Sequence, residues 1–182
     1  MVKTPRSFAI LAFAVLAGVL LAGSGVFSVE RINQHREVQA LSDARQLGLA
    51  ALQYAQDNKE HYPDADHWEQ ELKPYLDPQA SDVFHPLAPI GGTPRQFSLN
   101  PALSGKSMVK VSDPTNSWLF YESVSPKKSA SDNLDYFPDA EKDGGHNSAV
   151  VYGDGHIYEQ GKQWKSMCQG RAINYCGAGM PN

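Results

Sequence analysis

From Phe8 to Val29 the chain carries no charged residue, and the unbroken continuation of this run constrains the fold more than any other feature. Read as helix at ~1.5 Å per residue, the run spans ~33 Å, about the thickness of a bilayer's hydrocarbon core. It passes directly into residues 30–58, which contain no proline. There Val38, Leu41, Ala44, Gly48, Ala51, Leu52 and Ala55 recur at steps of three and four, which predicts one continuous helix with an apolar stripe. A membrane-length helix that continues as an amphipathic one points to anchoring and assembly rather than to soluble catalysis.

The flanking charges set the expected topology. Lys3 and Arg6 precede the run, while Glu30, Arg31, Arg36 and Glu37 form a mixed far flank. The positive-inside rule then keeps residues 1–7 in the cytoplasm as a leader. Residues 8–29 become a single transmembrane span in the cytoplasmic (inner) membrane, and everything after it is exported. A cleaved secretory signal is the rival reading, with Ala22 and Ser24 ahead of a cut before Gly25. The length of the apolar run, and the helical pattern that continues through the cut, favour retention.

All prolines except Pro5 lie beyond Tyr62, so the helix gives way to a turn-rich region. It should end near Asn58, because Pro63 disfavours helical geometry at Tyr62. A second, short helix is expected over Ala65 to Leu76, capped by Asp64 or Asp66, with Trp68, Leu72, Tyr75 and Leu76 facing inward. Residues from Gln79 to Pro94 read as a loop anchored by Val83 and Phe84. Strands are expected at Arg95 to Leu99, Met108 to Val111 and Ser117 to Glu122, followed by an irregular polar excursion from Val124 to Asp143. The runs SAVVYG and HIYEQ, joined by Asp154-Gly155, predict a hairpin with a two-residue type I′ turn. The expected fold class is α+β: a long N-terminal helix, half in the membrane, whose outer half (30–58) packs on a small antiparallel sheet. The globular part covers 59–160, and 161–182 forms a C-terminal tail.

Several residues invite chemical readings. Cys168 and Cys176 are the only cysteines, and in an exported tail two cysteines closing one short loop read as a disulfide. The run Asp139-Ala140-Glu141-Lys142-Asp143-Gly144 copies the first half of an EF-hand loop, making Asp139, Glu141 and Asp143 calcium candidates. Position twelve of that loop is Val150, not glutamate, and a solvated acidic loop is the favoured reading. His146 and His156 bracket the hairpin with Asp154 between them. Residues near the turn alternate faces, so the three need not converge, and His146 is expected to order a loop through the hairpin backbone. No nucleophile elbow, phosphate-cradling glycine loop or zinc-protease motif occurs, and neither an enzyme nor a cofactor is expected. A net charge of −4 without a basic cluster interleaved with aromatics gives no sign of a nucleic-acid partner.

Taken together, four stretches resemble a family. QLGLAALQYAQDNKEHYP is similar to the segment that follows the transmembrane helix in bacterial type IV pilin-like proteins, relatives of the type II secretion pseudopilins. WEQELKPYL resembles their next short helix, and residues from Gln96 to Glu122 resemble their middle strands. GGHNSAVVYGDGHIYE resembles their C-terminal signature of His, nine residues and Asp-Gly, here carried by His146, Asp154, Gly155 and His156. The likeness spans about Ala44 to Glu159. Seven residues rather than nine separate His146 from Asp154, and His85-Pro86 stands where Cys-Pro is common. At the leader junction, Ser7-Phe8 replaces the usual glycine-phenylalanine, and Ala12 stands in place of the glutamate that pairs with a neighbouring subunit's amino terminus.

The resemblance implies a pilin-like fold, leader processing between Ser7 and Phe8, and partners met through the N-terminal helix, whether copies of itself or other pilin-like subunits, in a secretion or surface-fibre assembly. The alternative is an anchored or secreted envelope module that binds calcium, a glycan or a protein and does not polymerise.

Overall fold

The computed structural model describes residues 34–78, 83–90, 93–125 and 147–160. By its contacts the chain divides between Arg36 and Glu37, and the α+β fold belongs to the second unit; of the first, only residues 34–36 are described, and they are helical. The predicted membrane span, the leader and the tail lie outside the described residues.

Helix α1 occupies residues 34–57 and ends where the sequence predicts. Its last turn is closed by Asn58, whose side-chain amide donates to the Tyr54 carbonyl at 2.8 Å, and by the Glu60 amide reaching back to Ala55 at 2.8 Å. That closure places Lys59 and Glu60 at φ 56° and 60°, the left-handed region that non-glycine residues enter at a cost.

The apolar part of the buried face of α1 is built almost entirely from small side chains: Ala40, Ala44, Gly48, Ala50, Ala51 and Ala55, with Leu47 the one large apolar residue fully buried, while Arg36 and Asp43 are the helix's buried charged residues. The predicted stripe therefore divides. Its small members face the core, Leu41 and Leu52 are half-buried at the margin, and Val38 points to solvent at 68% exposure.

A small-residue helix face requires a large-residue partner. The sheet supplies it. Strands β1 (Leu87–Ile90), β2 (Thr93–Leu99), β3 (Trp118–Ser123), β4 (Ser148–Tyr152) and β5 (Ile157–Gln160) lie in the order β1-β2-β3-β4-β5, each antiparallel to its neighbour. Four of them, β2 to β5, form the main antiparallel sheet, and β1 extends its β2 edge. The fold is α+β. Register places Phe97 opposite Glu122, Leu99 opposite Phe120 and Phe120 opposite Val151, so these side chains share one face. Phe97, Leu99, Phe120, Ala149 and Val151 join Ala40, Ala44, Leu47, Ala50 and Ala51 of α1 in a single hydrophobic core. A register shift between Trp118 and Phe120 lets consecutive residues Leu119 and Phe120 both enter it.

Helix α2 is shorter than predicted, Trp68–Leu72, and is continued by a 3₁₀ turn over Lys73–Tyr75. Pro74 explains the change through its missing N–H, which cannot make the next α-helical bond to the Gln70 carbonyl, while Lys73 itself keeps α geometry at φ −51° and ψ −40°. Neither aspartate caps α2: His67 occupies the cap without a side-chain bond, and Asp64 instead accepts from the Asp66 amide at 2.9 Å. Trp68 and Leu72, one turn apart, are buried. Burial of each contributes about 1.5–3 kcal/mol. Trp68 packs on Phe120 of β3 and Phe84, with centroids 5.1 and 5.6 Å apart.

Three expectations are corrected. The stretch read as a loop from Gln79 to Pro94 contains β1 and the start of β2. Met108–Lys110 is a 3₁₀ turn, not a strand, because its neighbour Ser107 forms only one isolated bridge, to His61. The hairpin turn between β4 and β5 is not of type I′. A type I′ turn needs two residues at positive φ, and here only Gly155 has one, at +86°.

Candidate functional site

The signature residues that fall within the described structure gather at the β4–β5 turn. The Tyr152 carbonyl accepts from the Gly155 amide at 2.9 Å, and the Tyr152 amide donates to the His156 carbonyl at 2.9 Å. Gly153, Asp154 and Gly155 thus form a three-residue loop of the type I plus glycine-bulge kind, with Gly155 in the left-handed position. The extra glycine ahead of Asp154-Gly155 is the sequence cue for this longer loop.

The turn is seated on three sides. A β-carbon on Gly155 would lie 2.5 Å from Cδ1 of Leu52, and one on Gly48 would lie 3.0 Å from the Gly155 carbonyl oxygen. A β-carbon on Gly153 would meet the Tyr62 hydroxyl at 2.5 Å and the Pro114 carbonyl oxygen at 3.1 Å. Tyr62, fully buried, donates its hydroxyl to the Gly153 carbonyl at 2.9 Å, while the Gly153 amide donates to Ser117 at 2.8 Å. Burial, with the Asp154 carboxylate adding to it, pushes the Tyr62 phenol up to about 12. Glycine is needed here for close approach, and Tyr62 fastens the loop that follows α1 to the far end of the sheet.

On the solvent side, Asp154 and His156 meet. Asp154 Oδ1 lies 2.5 Å from His156 Nδ1 and also accepts from the His156 amide at 3.2 Å. The imidazole stacks on the Tyr152 ring, with centroids 4.1 Å apart and planes within 9°. The glycine bulge brings these two side chains onto one side. Both remain substantially exposed. His146 lies outside the described residues, as do the calcium candidates Asp139, Glu141 and Asp143, the cysteines Cys168 and Cys176, and the processing residues Ser7 and Phe8.

A second polar cluster, which no sequence motif announces, gathers Asp64, His67, Ser104 and Glu71. Asp64 lies between Ser104 and His67, its Oδ2 accepting from Ser104 Oγ at 3.4 Å and its Oδ1 standing 3.4 Å from His67 Nδ1. The hydroxyl of Ser104 accepts from the Ala65 amide at 2.8 Å, and Glu71 accepts from the Asp64 amide at 2.7 Å. The bond from the Asp66 amide, then those from His67 and Ser104, hold the Asp64 carboxyl below its ordinary range against the opposing effect of burial. A nucleophile triad places the imidazole between hydroxyl and carboxylate. Here the carboxylate is central, so the cluster braces the loop before α2 and does not activate Ser104.

The third polar feature is internal. Arg95 of β2 and Glu122 of β3 form a fully buried ion pair at 3.2 Å. Arg95 also donates to Ser148 Oγ at 3.1 Å, and the other Glu122 oxygen accepts from the Ala149 amide at 2.8 Å. The network ties three strands at the end of the sheet where β4 begins.

Among the described residues no group of three or more His, Cys, Asp or Glu side chains could hold a metal ion, and no helix is long and apolar enough to cross a membrane. No protein-family model, curated protein or solved structure matches the chain.

Proposed function

We propose that the chain is a membrane-anchored, extracytoplasmic structural protein of the bacterial envelope, pilin- or pseudopilin-like in design, in which the N-terminal helix anchors and assembles while the α+β domain is displayed. The observation that carries this reading is the passage from an uncharged run, Phe8 to Val29, through a proline-free connection into α1. That helix buries its small residues against the domain's own sheet and leaves Val38 and Leu49 exposed at 68% and 56%. Apolar side chains on the outer face of a helix suit contact with neighbouring helices. The docked Gly-Asp-Gly turn adds support of a different kind: Gly155 of the signature seats against Gly48 and Leu52 of α1, a structural use that suits a scaffold protein.

N-terminal sequencing of the mature protein recovered from its native membranes tests the proposal. A chain beginning at Phe8 is the expected result and means that a prepilin-type peptidase accepts Ser7. An intact Met1, or a start near Gly25, would overturn the assembly reading. The domain would then be an anchored or secreted binding module, as Ala12 in place of the pairing glutamate would favour.

A further inference from the structure

We draw no further inference here: the strongest candidate, the second face of the sheet around Gln96, Ser98, Tyr121 and Val150, is buried, but nothing in the structure shows what covers it.

Discussion

The carbonyl oxygen of Gly155 sits 3.0 Å from where a β-carbon on Gly48 would be, with Val151 Cγ1 at 3.1 Å. A mid-helix glycine costs roughly 1 kcal/mol relative to alanine, and at this position the close seat of the hairpin turn on α1 offsets that cost. Alanine at 48 would gain helix propensity and lose contact quality, leaving stability within about 1 kcal/mol of the parent. Leucine has no such compromise. Gly48→Leu should lower stability by about 2–3 kcal/mol, read as a shift of the urea midpoint at unchanged slope. Parent-like stability for the leucine variant would mean that the turn does not sit on the helix.

Gly155 should be less tolerant of alanine than Gly48. Its φ of +86° is strained for any side chain, and the added carbon would also push on Leu52. Gly155→Ala is expected to cost about 1–2 kcal/mol. Thermal unfolding of the two alanine variants side by side makes the comparison, and equal melting temperatures would count against it.

The buried pair Arg95–Glu122 predicts a large loss for a single change and a small one for the double change. Glu122→Leu leaves a buried guanidinium without its carboxylate and frees the Ala149 amide, a loss of about 3–5 kcal/mol. Replacing both partners, Arg95→Met with Glu122→Leu, removes the charge problem and should recover most of that loss. A denaturant-based double-mutant cycle reads the coupling. Additive losses would show that the pair is not a unit.

Tyr62 gives the fold an alkaline limit. Its folded-state value of about 12 stands above the ordinary 10.0, so between these pH values the unfolded chain has lost a proton that the folded chain keeps. Stability from this group is therefore complete below pH 10 and falls by about 1.4 kcal/mol per pH unit as pH rises from there towards 12. Tyr62→Phe should cost about 1 kcal/mol at neutral pH through loss of the bond to Gly153. The difference between parent and variant should narrow, then reverse, above pH 10. A constant difference across that range would contradict the burial of the phenol.

Much of the α+β layout was legible because it rests on local rules. The end of α1 followed from Pro63, β3 from the aromatic run at Trp118 to Tyr121, and the hairpin from Asp154-Gly155 between β-rich runs. What escaped was decided by distant partners. The division of the α1 stripe, with Val38 outward and Ala44 inward, depends on a sheet whose large residues fit only the alanine face. Met108 to Val111 has strand-like composition, yet a single bridge at Ser107 gives it no ladder to join. Arg95 and Glu122 look like ordinary alternating polar positions until the register of β2, β3 and β4 places them together inside. The Asp154–His156 contact required the glycine bulge, and the only hint of that was Gly153.

The outer face of α1 carries the test of assembly. Leu41, a natural choice for disrupting the stripe, is half-buried against the domain's own core, so changing it would confuse folding with association. Val38 and Leu49 are the better positions, since both are exposed and surface changes of this kind usually move stability by less than about 0.5 kcal/mol. In native membranes, cysteines placed on neighbouring exposed helix positions should give crosslinked dimers and higher species in the parent. The double change Val38→Glu with Leu49→Glu should reduce those species strongly while leaving the melting temperature within a few degrees. Crosslinking that persists unchanged in a folded double variant would remove this helix face from any assembly contact, and the domain would then have to meet its partners elsewhere.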